Sequence, residues 1–182
     1  MADNIRKRHR RRAGFTILEL LVSVTVFTIG IGAVSSTLVA SSSLSKSTRE
    51  TSLALECAQS AMESTRGEEF SEAFARFNST TIDDPVAGTS PGSLFGIDAL
   101  SVRDGDADGA IGAISFPGNG VQLREDTVDA ELGMPRDLNG DGVIDALDHS
   151  GDYVVLPVRI RVEWTGQTGN RALEVVSLLV DS

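Results

Sequence analysis

From Phe15 to Val34 the chain reads FTILELLVSVTVFTIGIGAV, twenty residues with one charge, Glu19, and the next charge is Lys46. At about 1.5 Å of rise per residue, a helix of this length spans a hydrocarbon layer of roughly 30 Å. A helix that is apolar around its whole circumference must be enclosed by lipid or by other apolar helices. The rest of a 182-residue chain leaves room for one further domain.

Charge divides at the same place. Of 16 basic and 26 acidic residues, residues 1–14 hold six (Arg6, Lys7, Arg8, Arg10, Arg11, Arg12) and one (Asp3), leaving 10 and 25 for the remainder. A basic segment before the apolar run and an acidic body after it orient a single pass with the N-terminus in the cytoplasm and the C-terminal domain across the membrane. So acidic a body repels phosphate backbones, and no nucleic-acid partner is expected. One cysteine, Cys57, and one histidine beyond the N-terminus, His149, leave little material for Cys/His or Ser/His catalysis or for Cys/His zinc ligation, so no enzyme is expected.

Glu19 decides between kinds of membrane segment. A secretory signal has a shorter apolar core without an early acid. A twin-arginine signal places one residue between the arginine pair and Phe, whereas Ala13 and Gly14 both intervene here. A plain anchor gives no reason for a carboxylate, which costs about 2.5–3.5 kcal/mol at the centre of a membrane helix and is by default functional.

The arrangement RRAGFTILELLVS resembles the prepilin processing motif of type IV pilins and type II secretion pseudopilins. The resemblance implies that a prepilin peptidase cuts between Gly14 and Phe15 and methylates the new amine of Phe15. It also implies that Glu19 neutralises the N-terminal ammonium of a neighbouring subunit during assembly. Glycine at the cut presents no side chain to a protease that approaches the backbone closely. An ammonium and a carboxylate in a low-dielectric bundle are each costly alone and tolerable together. IGIGAV and LALECAQSAMESTR look most like V-type minor pilins and I-type minor pseudopilins of type II secretion. The partners so implied are the peptidase, other pilin or pseudopilin subunits and the bacterial inner membrane, with the C-terminal domain periplasmic or carried outside in a pilus. The alternative is a membrane-anchored calcium-dependent binding module that never polymerises.

The helical pattern continues to about Arg66. Leu44, Thr51, Leu55, Ala58 and Met62 lie at helical spacing, which predicts a helix over 15–66 with a transmembrane segment at about 15–38 and a weakly apolar stripe for the domain. Gly30, Gly32 and Ser41 to Ser43 lower propensity and mark a bend or melted turn. The extracytoplasmic domain is residues 67–182. Phe70, Phe74 and Phe77 predict a short amphipathic helix, and residues 83–93 an exposed connection. Val158, Ile160, Val162 and Trp164 alternate with polar residues and, with Ala172 to Val180, predict a hairpin. Ala113 to Phe116 and Val121 to Arg124 are shorter strand candidates. The expected fold class is α+β, a long N-terminal helix on a small antiparallel sheet, as the pilin resemblance also implies.

Thirteen acidic residues and three arginines fall between Asp98 and Asp152. Within them DLNGDGVIDALD, residues 137–148, matches the EF-hand spacing. Asp137, Asn139 and Asp141 would offer side-chain oxygens, Val143 its carbonyl, Asp145 a direct or water-mediated contact and Asp148 the closing carboxylate, an all-oxygen set that suits calcium. Gly142 allows the sharp turn and Ile144 is expected to face the core. Aspartate in place of glutamate at position twelve resembles dockerin loops. Asp104, Asp106 and Asp108 begin a second, weaker loop that lacks the later ligands.

Overall fold

The computed structural model describes residues 14–86 and 88–181; the basic leader, residues 1–13, lies outside them. Element order is α1 (Ile17–Gly67), α2 (Phe70–Phe77), β1 (Leu94–Phe95), β2 (Gly112–Ser115), β3 (Val155–Gly166) and β4 (Gly169–Val180). The chain divides into two compact units at Leu44/Ser45, and α1 contributes to both. This is the α+β class expected, a long N-terminal helix and a four-stranded antiparallel sheet of pilin-like architecture.

In the first unit the helix passes Gly30, Gly32 and Ser41 to Ser43 without the break that low propensity suggested. Ser23, Thr25, Thr28, Ser36, Thr37 and Ser42 donate their hydroxyls to backbone carbonyls three or four residues back. These side chains satisfy themselves within the helix and need no water. The large apolar residues stay uncovered by this chain, from Phe15 at 77% and Ile17 at 86% exposed through Val39. The helix is long and apolar enough to cross a membrane.

In the second unit the strand order is β1-β2-β3-β4, antiparallel throughout. On β3, Leu156, Val158, Ile160, Val162 and Trp164 all face inward and are buried, the period-two pattern read from the sequence. Gln167 and Thr168 join β3 to β4 in a two-residue turn closed by the Gly166–Gly169 pair. Ala54, Ala58, Met62 and Thr65 form the buried stripe of α1, with Phe74 and Phe77 of α2 in the same core. Arg171 reaches back to Ser47 at 2.7 Å, and Arg66 donates to Ser177, so β4 is bonded to α1 at both its ends.

Three expectations are corrected. The stripe on α1 is rotated: Leu55 and Thr51 face outward while Ala54 is buried, and Leu44 is 69% exposed in the other unit. The fully buried positions of this face are the small ones, Ala54 and Ala58, which a count of bulky residues misses. Val121 to Arg124 form no strand; Gly118 and Gly120 take positive φ and Asn119 accepts from the Val121 and Gln122 amides, so the segment is spent on a turn. One bridge, Gly118 to Leu123, remains, and Leu123 is fully buried. Finally β1, absent from the sequence reading, is held by Phe95, whose ring lies where a Cβ on Gly112 would stand, 2.1 Å from its atoms.

Candidate functional site

Two places carry chemistry. At the first, Gly14, Phe15 and Thr16 precede the helix and are not helical, and nothing lies within 4 Å of the Cβ position of Gly14. The Gly14–Phe15 bond is therefore in open backbone. Thr16 caps α1: its hydroxyl oxygen accepts the Glu19 amide at 3.2 Å, and its carbonyl accepts the Leu20 amide at 3.1 Å. Thr16-Ile17-Leu18-Glu19 has the spacing of a capping box, so Glu19 also sits in the first turn, where the helix dipole favours a negative charge. The sequence reading of Glu19 did not include this helix-start role. Removal of everything before Phe15 leaves the cap intact.

The second place is the acidic loop. The Asp137 carboxylate accepts the Gly140 amide at 2.6 Å and the Gly142 amide at 2.8 Å. Asn139 accepts the Asp141 amide at 3.1 Å, Asp141 that of Val143 at 2.7 Å, and Asp145 that of Leu147 at 2.7 Å. Gly142 has φ of +84°, the turn conformation its position called for, and Gly140 has +81°. The Asp148 carboxylate is turned to the Leu123 and Ser150 amides, both at 3.1 Å. Ile144 does not face the core; it is 50% exposed, and Leu138 fills that role with no exposure at all. In the weaker loop Asp108 accepts the Ala110 amide at 2.8 Å, and the Asp104 amide donates to Thr165 at 3.0 Å.

The loop is braced by a residue that no spacing rule flagged. Glu125 is 1% exposed, and its carboxylate takes three loop amides: Leu138 at 2.6 Å and Asn139 at 3.3 Å on Oε1, Asp145 at 3.2 Å on Oε2. Three backbone bonds hold it there, Arg136 amide to the Glu125 carbonyl at 3.2 Å, His149 amide to Leu123 carbonyl at 2.9 Å and Asp126 amide to Asp145 carbonyl at 3.1 Å. A buried carboxylate is tolerated when its lone pairs are met by amides, and charge-assisted bonds of this kind are each worth about 1.5–3 kcal/mol. Beside it His149, also buried, has Nδ1 3.1 Å from Asp152 and Nε2 3.2 Å from Asp145 and 3.8 Å from Glu125. Burial opposes the charge on His149, but the bonds to Asp145 and Asp152 and the field of Glu125 outweigh it and raise its pKa. Asp145 is held below the usual carboxylate range by the Leu147 amide and by His149.

Among the described residues, Glu125, Asp145 and His149 form the group of His, Cys, Asp or Glu side chains whose ligand atoms all lie within 4.8 Å of one another, and it could hold a metal ion. Asp137, Asn139, Asp141, Val143 and Asp148 line one loop, and the side-chain oxygens of Asp137, Asn139, Asp141 and Asp148 accept nearby backbone amides. Asp104, Asp106 and Asp108 belong to no such group.

The chain matches no curated protein and no solved structure. Residues 9–35 match the family model for the prokaryotic N-terminal methylation motif, so the chain carries a type IV pilin-like prepilin signal on an apolar helix, the mark of a membrane-anchored structural precursor rather than of an enzyme.

Proposed function

We propose that this protein is a minor pilin or pseudopilin. Prepilin peptidase removes residues 1–14 and methylates Phe15. The subunit waits in the bacterial inner membrane with its domain on the far side, then enters a type IV pilus or a type II secretion pseudopilus through α1. The observation that carries this reading is the methylation motif at 9–35, laid over an apolar helix that Thr16 caps and that holds one carboxylate, Glu19. Lipid can cover the exposed apolar side chains of the first unit while the subunit is alone, and the same helices of neighbours can cover them in a filament.

The domain carries calcium in residues 137–148. Side-chain oxygens of Asp137, Asn139, Asp141 and Asp148 and the Val143 carbonyl would hold the ion, with Asp145 contributing directly or through water. The turn at Gly142 and the brace from Glu125 support this reading, because the loop's backbone is already wound and its closure needs side chains to swing more than main chain to move. Calcium here is a staple for the fold.

Processing is tested at the cut. In cells that produce a prepilin peptidase, the wild-type chain should run as the mature species, shorter by the leader. Gly14→Trp should accumulate at full length, because the indole occupies the space the protease needs. Wild type that stays at full length beside an active peptidase would instead favour a tethered calcium-binding module that never assembles.

A further inference from the structure

The geometry points to a second metal site, separate in kind from the calcium loop, in which Glu125, Asp145 and His149 bind a divalent transition ion of the zinc class. His149 Nδ1 faces a carboxylate of Asp152, and Nε2 faces carboxylates of Asp145 and Glu125. A neutral imidazole has one N–H and one lone pair. With the proton on Nδ1, the Nε2 lone pair is directed at two carboxylate oxygens; with the proton on Nε2, the Nδ1 lone pair meets Asp152. Either tautomer sets a lone pair against negative oxygen in a place where His149 is 4% and Glu125 1% exposed. A cation between the groups removes that conflict.

A divalent ion removes more of it than a proton does. An imidazolium among three carboxylates leaves a net charge of −2, whereas a divalent ion leaves −1 and balances the buried Glu125 together with the partly exposed Asp145. Distances agree. The 3.2 and 3.8 Å separations of Nε2 from Asp145 and Glu125 bracket the roughly 3.3 Å between donors around a tetrahedral ion bonded at about 2.0–2.1 Å. Calcium, which seeks six to eight oxygens at about 2.3–2.6 Å, fits neither the nitrogen nor the three-donor count. Asp152 completes the pattern: it fixes the Nδ1 proton and turns Nε2 to the ion, the usual outer partner of a metal-bound histidine. Asp145 gives Oδ1 to this site and keeps Oδ2 for the calcium loop. The bound ion would lock 123–126 to 145–152, segments joined so far by two backbone bonds, by the Leu123 amide on Asp148 and by the Asp145 amide on Glu125.

The site does not depend on the pilin reading, and the test keeps it apart from the calcium reading. Detergent-solubilised full-length chain is stripped of metal, held in millimolar calcium and titrated with zinc in a calorimeter. All versions carry His9→Ala, so the leader's imidazole does not contribute. The parent chain should bind one equivalent of zinc. His149→Gln should weaken that binding by about 100-fold or more without loss of calcium-dependent thermal stability, and Asp152→Asn should weaken it by about 10-fold. X-ray absorption at the zinc edge of the parent chain should show one imidazole and otherwise oxygen donors, a readout that holds even if a variant folds poorly. Equal zinc affinity in parent and His149→Gln, or a zinc shell without imidazole, would overturn the site and leave His149 as a residue that holds only a proton.

Discussion

Glu19→Ala is expected to leave the protein in the membrane and keep it out of filaments. Insertion should be unimpaired or eased, because the substitution removes the one charge between Phe15 and Val34, for which centre-of-helix scales assign about 2.5–3.5 kcal/mol. Assembly is another matter. The ammonium of a neighbouring Phe15 would then be buried against apolar helices without a counter-charge, and removal of one member of a buried ion pair typically costs about 3–5 kcal/mol. That corresponds to a fall in filament incorporation on the order of 100-fold or more, read as the ratio of sheared-filament to membrane-bound protein on immunoblots. The capping role of Thr16 bounds the competing explanation. Loss of the favourable dipole interaction at the first turn accounts for only about 0.3–1 kcal/mol, too little to empty the filament fraction. Glu19→Gln preserves the helix start and removes the charge, so it should follow Glu19→Ala in assembly and wild type in helix content. Incorporation at wild-type levels in both variants would dismiss the ion pair.

The second large effect is in the loop. Detergent-solubilised wild type should melt roughly 5–10 °C higher in excess calcium than in chelator, since ligand at about 100 times its dissociation constant adds about 2.7 kcal/mol and a domain of this size shifts by a few degrees per kcal/mol. Asp137→Ala with Asp141→Ala should abolish the difference by removing positions one and five of the loop. Some loss of stability in chelator is also expected, because Asp137 caps the Gly140 and Gly142 amides even without an ion. The calcium-dependent increment is therefore the diagnostic quantity. A wild type whose melting temperature is the same with calcium and with chelator would remove the metal from this loop.

What the sequence made legible follows from the range of the interactions involved. The apolar run, its lone Glu19, the alternation on β3 and the turn at Gly142 are local patterns, and each reappears where expected. Features made by distant residues did not announce themselves. Phe95 over Gly112 pairs positions with no shared period, and Ala54 rather than Leu55 is the residue of α1 that lies in the core. Ile144 was expected to face the core, yet it is half exposed and Leu138 takes the buried place. Glu125 is the clearest case. In the sequence it is one acid among thirteen, and only its burial against the Leu138, Asn139 and Asp145 amides sets it apart. A rule that looks for ligands at fixed spacing has no means of finding a brace twelve residues upstream. His149 was equally hidden, a lone histidine whose meaning lies in the three carboxylates around it.

Everything proposed for the filament rests on a freshly made amine at Phe15, and the mass of the N-terminal peptide tests that most directly. From cells that contain a prepilin peptidase, the account predicts a chain that begins at Phe15 and carries a single added methyl group. A chain that still begins at Met1 with its arginine-rich leader attached, or one cut far inside the apolar run near Ala40, would contradict it.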